Sequence, residues 1–89
     1  MSHPSARVAV VTVRCSGHAR RRMAQRGITA TEIEEAAADP SRTTFPSAEL
    51  PQERLVILGE TRAGRRLKLV VLADDNEFVI TVADRDSEG

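Results

Sequence analysis

The sequence has almost no aromatic residues. Its 89 residues include two phenylalanines, Phe45 and Phe78, and no tryptophan or tyrosine. A core without large rings must be built from valine, leucine, isoleucine and alanine side chains. The shortage also argues against a module that recognises nucleic-acid bases by stacking, because such modules need exposed aromatic rings.

Cysteine is also scarce, because Cys15 is the only one in the chain. A single cysteine forms no disulfide within the chain and no cysteine-based metal cage, which favours a reducing, cytoplasmic setting. The apolar run Val8–Val13 is too short for a membrane span or a signal-peptide core and is typical of a strand. We therefore expect one cytoplasmic domain over residues 1–89, ordered from about 7 to 83, with no membrane partner, metal or cofactor.

Acidic residues are missing from the first 30 positions, which carry six arginines. The rest of the chain carries seven basic residues and all thirteen acidic ones, so the two parts have formal charges of +6 and −6. This asymmetry indicates an anionic partner for the first part. The alternative is that the two parts attract each other, either within one chain or across a homodimer interface.

The segment Ser16–Ile28 predicts a short helix with a defined start and end. It reads SGHARRRMAQRGI, and we expect helical residues from about Gly17 to Arg26. Ser16 is a suitable N-cap, because its hydroxyl can accept a hydrogen bond from a backbone N–H of the first turn. Gly27 stands where helices often close with a left-handed residue.

Three side chains of this helix are candidates for chemistry. His18, Arg22 and Arg26 are four residues apart, so they form one stripe that drifts by about 40° per step. An imidazole and two guanidinium groups without an acid among them are suited to hold a phosphate and to move a proton beside it. The alternatives are a histidine that caps or packs locally, and arginines that pair with the acids of the next helix, Glu32, Glu34 or Glu35.

A second helix is predicted to begin after Thr29. Glu32, three residues later, completes a capping box, and Ile28 and Ile33 flank the cap as a hydrophobic staple. The Asp39–Pro40 pair ends this helix, because the residue before a proline avoids helical geometry.

The rest of the chain has the alternation of strands. The predicted strands are Arg7–Arg14, Glu53–Glu60, Arg65–Ala73 and Glu77–Val82. Ser41–Gln52 is expected to be a loop with a brief extended piece at Thr43–Phe45. The order β-α-α-β-β-β predicts an α+β fold in which two helices pack on one face of an antiparallel sheet.

Alternation also assigns the two faces of this sheet. The side chains expected to cover the helices are those of Leu67, Leu69, Val71, Phe78, Ile80 and Val82. Arg66 and Lys68 would lie on the opposite face, with Thr81 of the neighbouring strand near Val70 or Lys68.

Several motifs resemble known families. SGHARRRMAQRGIT resembles the opening of an uncharacterised bacterial domain family with the signature S-x-H-A-x-x-R-M-x-x-R-G-I, and ERLVILGETRAGRRLKLVV with FVITV resembles its remainder. The middle is also similar to the BrnT toxins, in which an E-R-x-x-x-x-G segment precedes a G-R-x-L strand. The matching residues here are Glu53, Arg54, Gly59, Gly64, Arg65 and Leu67. Both families are placed near the RelE/ParE toxins, small proteins of βααβββ order.

The resemblance implies a RelE/ParE-like fold and, since many of those toxins are ribonucleases, RNA cleavage without a metal. Carried over onto matching positions, the catalytic residues would be His18, Arg22, Arg26 and Thr81. His18 would act as general acid or base when a ribose 2′-hydroxyl attacks the adjacent phosphorus. A cognate antitoxin would cover the basic helix. Many RelE-type nucleases use a tyrosine that this sequence lacks, so the chemistry is expected from the first helix and the sheet.

Further basic residues could bind the RNA backbone, namely Arg21, Arg65, Arg66 and Lys68. The alternative for these sheet residues is an ordinary half-exposed strand, and Thr81 is equally typical of strands in general. The leading hypothesis is therefore a toxin-type RNA endonuclease. The others are a non-catalytic module that binds nucleic acid or an acidic protein, and a structural domain that self-associates.

Overall fold

The structure is a computed structural model that describes residues 13–47 and 53–85. Its elements are β1 (Arg14–Cys15), α1 (Gly17–Arg26), α2 (Ala30–Ala37), β2 (Thr43–Ser47), β3 (Arg54–Glu60), β4 (Arg66–Leu72) and β5 (Asp75–Asp84). The five strands form one sheet in the order β1-β5-β4-β3-β2. The predicted α+β class is confirmed.

Helix α1 begins and ends where the sequence predicts. The hydroxyl of Ser16 accepts a hydrogen bond from the N–H of Ala19 at 3.0 Å. At the other end Gly27 adopts φ 65° and ψ 40° and donates its N–H to the carbonyl of Met23. Glycine suits this left-handed conformation because it has no Cβ to strain.

Helix α2 begins with the predicted capping box. The hydroxyl of Thr29 accepts the N–H of Glu32 at 3.1 Å, and the Glu32 carboxylate accepts the N–H of Thr29 at 2.9 Å. Ile28 and Ile33, the predicted staple, are both buried. These reciprocal bonds fix the angle between the two helices, since the chain has only three residues between them.

The sheet is mixed, so the expectation of a purely antiparallel sheet is wrong. β1 pairs in parallel with β5, with Arg14 opposite Phe78, whereas the other three pairs are antiparallel. Parallel strands need a long connection between them. Here both helices and three strands lie between β1 and β5 in the chain. Residues 7–12 of the predicted first strand lie outside the described residues.

A five-residue strand forms within the segment that the sequence predicts to be a loop with a brief extended piece. β2 pairs with β3, and Phe45 lies opposite Val56. Pro46 is tolerated in this strand because β2 lies at the sheet edge, where a residue without an N–H need not interrupt a ladder. The extended piece expected at Thr43–Phe45 thus continues to Ser47, while residues 48–52 of the predicted loop lie outside the described residues.

One apolar cluster joins both helices to one face of the sheet. Its buried members are Ala19, Ile28, Ile33, Ala36, Ile57, Leu67, Leu69, Val71, Val79 and Val82. No aromatic side chain belongs to this cluster, as the composition predicts. Both helices therefore pack on the same side of the sheet, which leaves the other face without a helix among the described residues.

Strand β5 contains a bulge that changes the predicted faces. Residues 70 and 71 of β4 lie opposite Thr81 and Val79, so Ile80 is an extra residue between them. An extra residue reverses the alternation, and Val79 is the residue buried against the helices. The predicted assignment is correct for Val82 and wrong for Phe78 and Ile80, which are half-buried.

Candidate functional site

The predicted site residues fall into three groups in the structure. Helix α1 carries His18, Arg21, Arg22 and Arg26. Arg65 lies between the helices and the sheet. The face of the sheet away from the helices carries Arg66, Lys68 and Thr81. The structure therefore brings half of the predicted residues together on one helix.

His18, Arg22 and Arg26 form the predicted basic stripe along one flank of α1. The neighbouring Ala19 is fully buried and Met23 packs against the core, so the stripe runs beside the packed side of the helix. His18 is exposed and Arg22 is half-buried. The first turn of α1 contains no acidic residue, so no side chain of that turn offsets the positive end of the helix dipole.

Two of the three α2 acids that could neutralise this stripe, Glu32 and Glu35, have other partners. Glu32 pairs with Arg65, and the Glu35 carboxylate accepts the backbone N–H of Arg62 at 3.1 Å. In the described part of the chain, the side chains of His18 and Arg22 make no hydrogen bond or ion pair, and the Nε of Arg22 is buried without an acceptor. A guanidinium that no carboxylate among the described residues neutralises is suited to bind an anion.

Arg26, the third member of the stripe, differs from the other two. It is exposed in the last turn of α1, where a cation favours the helix dipole. It already takes part in an interaction within the chain. The candidate chemistry of the stripe therefore lies with His18 and Arg22.

Arg65 uses its donors within the protein. Its Nη2 donates to the carbonyl of Arg26 at 2.8 Å and its Nη1 to that of Gly27 at 2.9 Å. Its Nε donates to Asp84 at 2.9 Å, and Nη1 lies 3.3 Å from Glu32. The hydrogen bond to Asp84 raises the pKa of Arg65, so the guanidinium stays charged. Arg65 thus links the end of α1 to the start of α2 and to β5 through hydrogen bonds. The sequence analysis instead predicts that Arg65 binds substrate.

Replacing Arg65 is expected to destabilise the fold. Arg65→Ala should lower the free energy of unfolding by about 2–3 kcal/mol, because charged hydrogen bonds to two carbonyls and two carboxylates are lost together. For a domain of this size the melting temperature should fall by roughly 10 °C or more. Thermal and urea denaturation followed by circular dichroism would measure both values.

Arg62→Ala is the matched control for this variant. Arg62 is 84% exposed and its Nε lies 4.0 Å from Glu35, so it should contribute no more than about 0.5 kcal/mol. Arg65→Lys keeps the charge but not the planar guanidinium group. Its free energy of unfolding should therefore lie between those of Arg65→Ala and Arg62→Ala. Equal stability of the Arg65→Ala and Arg62→Ala proteins would show that the network does not hold α1.

Thr81 is separated from the basic stripe by the sheet. It lies opposite Val70, whose neighbours Leu69 and Val71 are buried against the helices. Thr81 therefore lies on the far face, as alternation predicts, with Lys68 close by. The four predicted catalytic residues do not form one site, because three are on α1 and the fourth is on the opposite side of the sheet.

Cys15 has a packing role in the structure. It is half-buried against the core, and burial raises the pKa of its thiol, while Arg20 lowers it and Glu34 raises it by smaller amounts. A thiol with a raised pKa is a poor nucleophile near neutral pH. Among residues 13–47 and 53–85, no group of three or more histidine, cysteine, aspartate or glutamate side chains could hold a metal ion.

Residues 15–84 match a protein family described as "Domain of unknown function (DUF4258)". The match covers α1, α2 and almost the whole sheet, and the chain belongs to this family. This agrees with the resemblance to an uncharacterised domain family. Neither the curated proteins nor the solved structures contained a match to this sequence. No helix of the described part is long and apolar enough to cross a membrane.

Proposed function

We propose that this protein is a cytoplasmic, RelE/ParE-like toxin-type endonuclease that binds RNA along α1 and cleaves it without a metal. The observation that supports this proposal is the basic stripe: His18 is exposed, half-buried Arg22 has no ion-pair partner among the described residues, and Glu32 and Glu35 pair with other arginines. A phosphate group could pair with the Arg22 guanidinium and meet the His18 imidazole on the same flank of the helix.

The spacing of the stripe suits a nucleic-acid backbone. Four residues of an α-helix rise about 6 Å, so His18 and Arg22 can reach neighbouring phosphates of one strand. The aromatic residues give no platform for base stacking near α1: Phe45 is on the far face of the sheet, and Phe78 lies under the guanidinium of Arg14. Binding is therefore proposed to depend on phosphate charge and little on base identity.

The proposed reaction is an internal transfer at phosphorus. His18 removes the proton from a ribose 2′-hydroxyl, whose oxygen attacks the adjacent phosphorus. The bond from phosphorus to the 5′-oxygen breaks, that oxygen takes up a proton from water, and a 2′,3′-cyclic phosphate remains. The proton that His18 removed passes to the solvent, so the neutral imidazole is restored. Arg22 stabilises the negative charge that grows on the phosphorane oxygens, as fixed donors do in oxyanion sites.

An antitoxin is the proposed protein partner. A toxin-type nuclease must be held inactive in its own cell, and the simplest way is to cover the surface that binds RNA. Since α1 presents Arg20, Arg21 and Arg22 without an acid, we propose that the covering segment is acidic and competes with RNA.

Binding without cleavage is the second candidate function. It is favoured by the separation of Thr81 from α1 and by the internal bonds of Arg65, which leave His18 as the one side chain near α1 proposed to transfer a proton. RNA cleavage usually needs both a base and an acid, whereas phosphate binding needs only cations. The release of RNA fragments distinguishes an endonuclease from a protein that only binds RNA.

The test combines RNA binding and RNA cleavage in a metal chelator. Wild-type protein should bind single-stranded RNA with an affinity that falls as salt rises, and should release fragments with cyclic phosphate ends. Arg22→Ala should bind more weakly and reduce the slope of log K against log salt by about 0.7, the value for one phosphate contact on a single strand.

Arg62→Ala removes the same charge at a site away from α1 and serves as the control. Its salt slope and cleavage rate should match those of the wild type. Binding without fragments would favour the second candidate, and an unchanged slope in Arg22→Ala would contradict the proposed surface.

A further inference from the structure

The bulge in β5 presents two consecutive carbonyl groups to the start of α1. In a regular strand, neighbouring carbonyls point to opposite sides, and each meets a different neighbouring strand. Here the carbonyl of Val79 accepts the N–H of Ser16 at 2.9 Å, and the carbonyl of Ile80 accepts the Ser16 hydroxyl at 2.7 Å. Both carbonyls meet the same residue because Ile80 is the extra residue of the bulge.

Ser16 therefore makes two kinds of bond at once. Its hydroxyl oxygen accepts the N–H of Ala19, which caps α1, while its hydroxyl hydrogen binds Ile80 on β5. The cap bond and the bond to Ile80, here called the tether, share the hydroxyl oxygen of half-buried Ser16. The first turn of α1 therefore cannot shift along β5 without breaking one of them. His18 is two residues further on, in that first turn.

We propose that Ser16 is a positioning residue, which uses the bulge carbonyl of Ile80 to hold His18 where it meets a bound phosphate. This inference rests on the proposed function of α1. It assigns a purpose to the bulge, which otherwise interrupts the ladder between β4 and β5. A misplacement of about 1 Å can lower a rate by about 100-fold, so a tether at this point can control turnover.

Three substitutions separate the tether from the cap. Ser16→Thr keeps a hydroxyl that can both donate and accept. Ser16→Asp keeps an acceptor for the N–H of Ala19 but cannot donate to Ile80, and Ser16→Ala loses both bonds. The rate at saturating RNA should fall about 10- to 100-fold in the aspartate and alanine variants and stay near the wild-type value in the threonine variant.

A purely structural cap would give a different pattern. Aspartate is as good an N-cap as serine, so a capping role alone predicts wild-type turnover for Ser16→Asp, and that result would overturn the inference. The alanine variant, which adds no charge, must also lose turnover while its KM stays within about twofold, because the arginines of α1 remain. Assays are run at a temperature where circular dichroism shows every variant folded.

A second readout keeps the inference testable if the wild type does not cleave RNA. Inorganic phosphate is titrated while NMR follows the ring protons of His18. Equal responses in the wild type and Ser16→Thr, with a weaker one in Ser16→Ala, would support the positioning role even though the endonuclease proposal had failed. Equal responses in all three proteins, or none in the wild type, would overturn it.

Discussion

Gly59→Ala is expected to lower the free energy of unfolding by about 3 kcal/mol or more, the largest effect on stability that the structure predicts. Gly59 is buried in β3 beneath the last turn of α2. A Cβ built on it would lie 2.0 Å from the carbonyl oxygen of Ala36 and 2.8 Å from its carbonyl carbon. Both are backbone atoms, so no side-chain rotation relieves the clash and α2 must move away from the sheet.

Such a loss is a large part of the total stability of this chain. A domain of this length has about 4–13 kcal/mol, so Gly59→Ala should be partly unfolded or should melt far below the wild type. Urea denaturation followed by circular dichroism would measure the change. A protein as stable as the wild type would show that α2 does not pack as closely on β3 as the structure indicates.

Gly17→Ala is the matched control. Gly17 is the first residue of α1, and a Cβ there meets nothing within 4 Å. Alanine favours helices by up to about 1 kcal/mol over glycine, so this variant should be as stable as the wild type or more so. The same chemical change should therefore destabilise the protein at Gly59 and not at Gly17.

His18→Ala is expected to have the largest effect on activity. If His18 transfers the proton in RNA cleavage, its removal should lower the rate by about 10²–10⁴-fold. Affinity for RNA should change little, because the arginines of α1 remain. Cleavage in chelator would be measured at saturating RNA, and binding would be measured separately by fluorescence polarisation.

His18→Gln gives the sharper comparison for this prediction. Glutamine keeps a hydrogen-bonding side chain but cannot exchange a proton near neutral pH, so it should be as impaired as alanine. Wild-type cleavage rates in both variants would remove the acid–base role from His18. Such a result would leave the fold and the RNA-binding proposal intact.

The helices show how much local sequence can predict. Ser16, Gly27 and the Thr29–Glu32 capping box are signals read over three or four residues, and the structure confirms each of them. Their bonds form within one turn of helix, so they do not depend on how the remote parts of the chain pack.

The sheet shows where local reading fails. The parallel pairing of β1, the fifth strand β2 and the bulge at Ile80 all depend on residues that are far apart in sequence. Alternation alone assigns the faces of a strand only if no residue is added, and one extra residue in β5 reverses the assignment of Phe78.

The amino-acid sequence by itself determined the two helices, the aliphatic core and the basic stripe on α1, because helix caps and charge placement are properties of neighbouring residues. Tertiary structure alone decided which basic residues are used in contacts within the chain. Arg65 meets two carboxylates and two helix carbonyls only after folding, and Thr81 is placed beyond the sheet by strand pairing. The partners of a long charged side chain come from remote segments, and no spacing within its own segment specifies them.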